Sequence, residues 1–299
     1  MKNLYIILLT GMIFADFPIN SMETWKSEYI SQESIEALLG LLWIREPKAI
    51  FYVALPIIKQ YDQQEIENLP ISEYLKRFAL ELKQEINKKL FDLSINTDEI
   101  KILLDFGADV NTQNELGFTP LHSAASDAQY DRVKLLLEQG ANPNIATYGG
   151  STPLITTATA LIGLRGKKVP ELIKIAQLLI ENKADIDALD NNNNSALSFA
   201  ARRPFCGMIQ LLLDHGADSN TENTTYGMTP LMLVAEASGE NSQCQINIIK
   251  ILINRGAKLF KLNRDGKTAL DLAKAKGNTE VVNVLQEAMS KRGSEIFRP

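Results

Sequence analysis

The stretch Ile102-Leu103-Leu104-Asp105-Phe106-Gly107-Ala108-Asp109-Val110-Asn111 returns four times later in the chain, at residues 135–144, 178–187, 211–220 and 251–258. Each copy begins with three aliphatic residues and reaches an alanine after a short polar link. The position of Gly107 recurs at 140, 183, 216 and 256, so the steps are 33, 43, 33 and 40 residues. A period of this length predicts a repeat architecture in which each copy is one supersecondary unit.

A second marker keeps the same period. Thr119-Pro120-Leu121-His122 is followed in phase by Thr152-Pro153-Leu154, Ser195-Ala196-Leu197, Thr229-Pro230-Leu231 and Thr268-Ala269-Leu270. The combination resembles the ankyrin repeat, a unit of about 33 residues with a Thr-Pro-Leu-His box. The resemblance covers residues 97–289 and implies an all-α solenoid of helix-turn-helix pairs with hairpin-like finger loops. It also implies that His122 hydrogen-bonds between the fingers of neighbouring repeats.

Local chemistry explains why such a unit folds. Thr119 can cap a helix, and Pro120 fits the first turn, where its missing N–H is not needed. Gly140 takes a left-handed conformation at the end of the second helix at little cost. Lys183 stands at that position in the next copy, where a left-handed residue with a Cβ costs about 1 kcal/mol, so we expect a soft junction there. Asn193 replaces the finger glycine, and asparagine tolerates positive φ.

One helix pair cannot bury its leucine-rich face alone, so neighbouring pairs must stack, and at least three repeats are needed for stability. The predicted organisation begins with a signal peptide at residues 1–21 and an N-terminal helical segment at 22–96. The array occupies 97–289, with a half-repeat at 97–113, repeats at 114–146, 147–189, 190–223 and 224–262, and a capping repeat at 263–289. A C-terminal tail follows at 290–299.

Two repeats exceed 33 residues because residues 161–170 and 239–245 are inserted between their helices. We expect both insertions to protrude from one edge of the array as candidate contacts. The first contains Ile162-Gly163-Leu164-Arg165-Gly166-Lys167-Lys168, which resembles the Gly-x-x-Gly loop of a nucleic-acid-binding KH domain. It lies between solenoid helices with no flanking sheet, so we interpret it as a solvated basic loop.

The N-terminus carries Lys2, an apolar run from Leu4 to Phe14, and then Ala15. The run is too short to span a membrane and favours a secretory signal, hence an exported protein. The alternative is an apolar helix that docks on the fold or holds the chain at a membrane, in which case the protein is cytoplasmic. Residues 22–96 have apolar stripes typical of a helical cap. Alternatively, residues 80–86 resemble the start of an F-box, which would recruit a ubiquitin-ligase scaffold.

The composition leaves little for catalysis or metal binding. The formal net charge of −5 argues against a nucleic-acid partner. With two cysteines and two histidines in the whole chain, we expect no multi-ligand zinc site, no disulfide framework and no cofactor. Cys206 and His215 are separated by about 13 Å of helix, so they cannot form a nucleophilic pair. Cys206 and Cys244 belong to adjacent repeats, whose helix axes about 8–10 Å apart weigh against a disulfide unless the inserted turn closes the gap.

We therefore expect a non-catalytic, monomeric module that binds a partner protein through its fingers and inner-helix ends. The alternative is an exported bacterial effector that acts on a host protein while its N-terminal segment recruits a second partner. Aromatic residues and arginines usually anchor interfaces. The candidate partner-binding residues are Glu115, Leu116, Phe118, Asp127, Tyr148, Asn192, Arg202, Arg203, Tyr226, Met228, Glu236 and Arg264. For Phe118 and Met228 the alternative role is to pad the stack of fingers.

Overall fold

The computed structural model describes residues 83–105, 107–163, 168–203, 205–237 and 242–296. The chain divides into two compact units, residues 1–85 and 86–299, and the repeats lie in the second. The described residues contain helices and no strand, so the all-α prediction is confirmed. Residues 83–89 are helical, and the helices that follow are α1 (Thr97–Asp105), α2 (Pro120–Ser126), α3 (Tyr130–Glu138), α4 (Pro153–Gly163), α5 (Val169–Glu181), α6 (Ala196–Arg202), α7 (Cys206–Asp214), α8 (Pro230–Glu236), α9 (Ser242–Asn254), α10 (Ala269–Lys276) and α11 (Thr279–Ile296).

The helices form successive layers. The inner helices α2, α4, α6, α8 and α10 pack in series, and the outer helices α3, α5, α7, α9 and α11 do the same. One leucine from each inner and outer helix of the first four pairs is at most 1% exposed, and burying each contributes about 1.5–3 kcal/mol. These leucines are Leu121, Leu136, Leu154, Leu179, Leu197, Leu212, Leu231 and Leu252. The apolar core is therefore continuous along the array.

The helix ends follow the sequence signals. Thr119 caps α2, and His122 completes a capping box by accepting from the Thr119 backbone N–H. After α3, Gly140 has φ 85°, and the N–H of Ala141 donates to the Leu136 carbonyl at 2.9 Å, which closes the helix. The left-handed conformation is confirmed for Lys183, at φ 67°. The reduced stability of this junction between repeats stays a prediction.

Asparagine side chains bridge one layer to the next at the ends of the outer helices. Asn111 Nδ2 donates to the Gly140 carbonyl at 3.4 Å, and Asn111 Oδ1 accepts from the N–H of Asn142 at 2.8 Å. Asn144 repeats the arrangement with the Lys183 carbonyl at 2.9 Å and the Asp185 N–H at 2.7 Å. A residue that both donates and accepts satisfies two orphan backbone groups at once, which fixes the register between layers.

The layer before the first full repeat begins earlier than residue 97. Ile86 and Leu90 are buried, at 3% and 0% exposed. Arg132, itself 3% exposed, donates to the Leu90 carbonyl at 2.6 Å and to the Asp92 carbonyl at 2.9 Å. Residues in 86–96 are thus bonded to α3, and the boundary at residue 97 stays a prediction.

The last layer also extends further than predicted. Helix α11 continues to Ile296, past the predicted boundary at residue 289. Within this extension Arg292 donates to the carbonyls of Ile253 and Ala257, at 2.9 and 3.1 Å. The segment that we expected to be a tail therefore covers the end of α9. Lys274 and Lys276 are exposed, as expected for the outer surface of a capping repeat.

Cys206 and Cys244 are joined in a disulfide, contrary to the expectation from ideal helix spacing. Their Cα atoms are 6.1 Å apart, which lies within the normal range for a disulfide. The expectation failed because it compared helix axes, whereas Cα atoms lie about 2.3 Å from each axis, so Cα atoms that face each other are closer together than the axes. A cross-link over 38 residues stabilises by roughly 4 kcal/mol in the chain-entropy account.

Several predictions concern residues outside the described part of the chain. These are the signal peptide at 1–21, the N-terminal segment up to residue 82 with the first three residues of its F-box-like stretch, and the middle of the basic insertion at 164–167. They stay predictions.

Candidate partner-binding face

Each repeat projects a finger, closed by a side chain at its first residue. Asn114 Oδ1 accepts from the N–H groups of Leu116 and Phe118, both at 3.0 Å. Asp190 Oδ1 accepts likewise from Asn192 and Asn194, at 2.9 and 2.8 Å. Such Asx turns hold a short loop without help from a sheet. The fingers are finger 1 (residues 114–119), finger 2 (147–152), finger 3 (190–195), finger 4 (223–229) and finger 5 (263–268).

Neighbouring fingers are in direct contact. A Cβ added to Gly117, which has φ 79°, would lie 2.7 Å from the backbone nitrogen of Tyr148, so only glycine fits there. The Tyr148 N–H donates to the Leu116 carbonyl at 3.2 Å. Equivalent bonds run from Asn191 to Gly149 at 3.0 Å, from Thr224 to Asn192 at 2.8 Å and from Arg264 to Tyr226 at 2.9 Å. The five fingers therefore form one continuous row.

The finger tips present large apolar side chains to solvent. Leu116 on finger 1 is 66% exposed, Tyr148 on finger 2 is 71% exposed, and Tyr226 on finger 4 is 59% exposed. The other candidate residues on the tips, Glu115, Asn192 and Arg264, are exposed as well. The structure thus brings the predicted finger residues together along one row, and their role in binding stays a prediction.

Two candidates belong to the stack of fingers. Met228 is 4% exposed, and its Sδ lies 3.5 Å from Asn263 Nδ2 of the next finger. Met228 therefore fits its alternative role, which is to pad the stack of fingers. Phe118, at the same position in finger 1, is half-buried and packs edge-on against the His122 ring, with centroids 5.5 Å apart.

The charged side chains at the inner-helix ends differ in how far they are engaged by other residues of the chain. Asp127 is occupied within the chain, because Lys168 Nζ lies 2.7 Å from its carbonyl and 3.6 Å from its Oδ1. Glu236 is half-buried. Arg202 and Arg203 are exposed, and Arg202 Nη2 donates to Asn194 Oδ1 at 3.2 Å. Among the predicted inner-helix residues, the arginine pair is therefore the most available to a partner.

A cleft that the sequence analysis missed opens beside finger 4. Its volume is about 300 Å³. No sequence signal marks it, because it arises from how fingers 3, 4 and 5 are offset from one another. Its lining residues are Asn193, Glu222, Asn223, Thr224, Gly227, Leu262, Asn263 and Arg264.

The reactive residue types are engaged in structural contacts. Cys206 is bonded to Cys244, and His215 Nδ1 lies 2.9 Å from the Leu211 carbonyl. His122 is fully buried, and its Nε2 lies 3.0 Å from the Ser151 carbonyl of finger 2, the inter-finger bond that the resemblance implies. Across the described ranges, no cluster of three or more His, Cys, Asp or Glu could hold a metal ion, and no helix there is long and apolar enough to cross a bilayer.

Comparison with known families identifies the architecture. The family model of ankyrin repeats matches three times, over residues 93–163, 167–257 and 208–296. The chain belongs to the ankyrin-repeat family. Ankyrin repeats form a protein–protein interaction module and are in general non-catalytic, so a protein is the class of partner to expect.

Named relatives share the repeats over part of their length. A putative ankyrin repeat protein of Rickettsia bellii is 28% identical over 214 residues, which is 68% of this chain and 60% of the relative. Human ankyrin repeat domain-containing protein 63 is 30% identical over 133 residues, 42% of this chain and 34% of the relative. Human ankyrin repeat and SOCS box protein 6 is 31% identical over 147 residues, again 42% and 34%. The matched regions therefore cover 34% to 60% of these relatives.

We predict that His122 makes the array sensitive to acid. Burial lowers the pKa of His122 from 6.5 to about 4, so the neutral imidazole stabilises the fold. This contribution is complete above pH 6.5 and is lost as the pH falls towards 4, on the order of 3 kcal/mol in total. Denaturant unfolding at pH 4 to 7 should give a flatter pH profile for His122→Gln than for the wild type.

The matched control is His215→Gln, since His215 is exposed and outside the finger row. It should follow the wild-type profile. Identical profiles for all three proteins would show that His122 is not the acid-sensitive group.

Proposed function

We propose that this ankyrin-repeat protein is a monomeric binding module that holds a partner protein across its finger tips and inner-helix ends. The observation that carries the proposal is the exposure of Leu116, Tyr148 and Tyr226 at 59% or more, on fingers joined to their neighbours by hydrogen bonds. Single exposed apolar residues are ordinary on any surface. Three of them along one row are typical of a protein-binding surface.

The rigidity of the row favours binding. Asx turns and inter-finger hydrogen bonds fix the backbone of each tip before a partner arrives. Tyrosine adds a large contact area with only two side-chain torsions to order. Association therefore costs little conformational entropy at this surface, which leaves more of the contact energy as affinity.

Removal of the tip side chains should abolish binding without unfolding the array. A triple variant Leu116→Ala, Tyr148→Ala, Tyr226→Ala should lose a partner captured by the wild-type chain, with an affinity loss of at least about 100-fold, since anchor residues each contribute about 2 kcal/mol. Isothermal titration calorimetry with that partner measures the loss. The melting temperature should fall by at most a few degrees, because these side chains lie outside the core.

The control is Leu189→Ala, Phe260→Ala, which removes apolar side chains 42% and 52% exposed from outside the tips. It should bind like the wild type. A partner that binds the triple variant normally, or that is lost equally with the control, contradicts the proposed face.

We further propose that the protein is exported. The disulfide between Cys206 and Cys244 supports this, since such bonds persist in oxidising compartments and are rare in the cytosol. The apolar run from Leu4 to Phe14 would then act as the export signal.

The compartment and the thiol state can be measured together. Cell fractionation followed by intact-mass analysis should find a mature N-terminus near Asp16 or Met22 outside the cytosol, with no thiol available for alkylation. A Cys206→Ser variant should show a single reactive thiol at Cys244. Recovery of the wild type in the cytosol, with Met1 retained and two reactive thiols, would contradict export.

A further inference from the structure

The inner face carries an arginine pair in a chain whose formal net charge is −5. Arg202 and Arg203 are consecutive and exposed at the end of α6. In the described part of the chain neither forms an ion pair, whereas Glu222 beside finger 4 is paired with Lys261 at 2.9 Å. Two adjacent cations thus lack a direct ion-pair partner among the described residues.

Arg202 is held in place before any partner binds. Its Cζ lies 5.5 Å from the centroid of the Phe199 ring, and its Nη2 donates to Asn194 Oδ1 at 3.2 Å. Asn194 is fixed in turn, since its Nδ2 lies 3.1 Å from both carboxylate oxygens of Asp190. A stacked guanidinium still has N–H groups for a carboxylate and loses little entropy in binding one.

Exposed tyrosines flank the arginine pair. Finger 3, which leads into α6, is bonded to finger 2 through Asn191 Nδ2 and the Tyr148 carbonyl at 2.9 Å. On its other side it accepts the N–H of Thr224 from finger 4, which carries Tyr226. The arginine pair therefore belongs to the repeat between those that carry the two tyrosines.

The charges on the neighbouring inner helices indicate from which side an anion would approach the arginine pair. Glu236 ends α8 in the following repeat, whereas the equivalent position in α4 is the exposed, uncharged Thr159. A carboxylate at the arginine pair would be repelled on the Glu236 side and tolerated on the Thr159 side. The arginine pair thus favours an anion that approaches from the side of the repeat at residues 147–189.

We propose that the partner docks an acidic segment on this site, with a carboxylate bound by Arg202 and Arg203 and apolar or aromatic neighbours packed against Tyr148 and Tyr226. The inference rests on the proposed binding face and names the chemistry that the face recognises. Polypeptide carboxylates fit this site better than a nucleic-acid backbone does. Nucleic-acid binders usually carry a long basic stripe, whereas this site consists of two arginines in an acidic chain.

Fluorescence anisotropy with the full chain tests the proposal. The probe is a fluorescein-labelled random copolymer of Glu and Tyr, compared with a Lys and Tyr copolymer and with oligothymidylate of matched charge. We expect binding of the Glu and Tyr copolymer only. Arg202→Ala, Arg203→Ala should weaken it by about tenfold or more, as loss of charge-assisted hydrogen bonds requires.

A matched control removes two positive charges elsewhere. Lys174→Ala, Lys250→Ala changes exposed lysines on the outer helices α5 and α9 and should alter the affinity by less than about twofold. Arg203→Ala alone provides a milder change if loss of the Arg202 contacts lowers the melting temperature. Equal losses in the arginine and lysine variants, no binding of the acidic copolymer, or arginine-dependent binding of oligothymidylate would overturn the proposal.

The same variants separate this inference from the proposed face. A captured partner that binds the arginine variant normally but is lost with the tip variant would leave the face intact and refute the acidic segment. A partner that ignores the tip variant would refute the face itself, whatever the copolymer does.

Discussion

The structure depends on the packing of each helix pair against the next. A pair of short helices exposes its leucines on both sides, and isolated helices of 7 to 13 residues are marginal in water. Layering buries those leucines, and Asn111 and Asn144 bond each layer to the backbone of the following one. Stability is therefore shared among neighbours, and the finger row inherits its rigidity from the layers beneath it.

Much of this architecture could be predicted because it repeats. The period, the capping threonines and the left-handed positions at Gly140, Lys183 and Asn193 are local requirements of one unit, and each is visible in the sequence. The inter-finger hydrogen bond of His122 was implied by the resemblance to the ankyrin repeat. Features repeated in every layer are encoded five times over, so a deviation in one copy does not hide them.

Contacts between residues of neighbouring repeats could not be predicted in the same way. The disulfide was not expected, because the separation of helix axes overstates the distance between Cα atoms that face each other. Met228 is buried against Asn263 of the next finger, a contact that the sequence of its own repeat does not show. Asp127 forms an exposed ion pair with Lys168, which lies at the end of an insertion and far from it in sequence. Such contacts depend on how one repeat is placed against the next, which the sequence of a single repeat does not show.

The shared stability of the layers can be tested directly by native-state hydrogen exchange on a Leu179→Ala variant. Leu179 is fully buried in α5, and its truncation should cost about 2–5 kcal/mol. We expect amide protection to fall in α3 and α7 as well as in α5, since both pack against it. Loss of protection confined to α5, with α3 and α7 unchanged, would contradict the account.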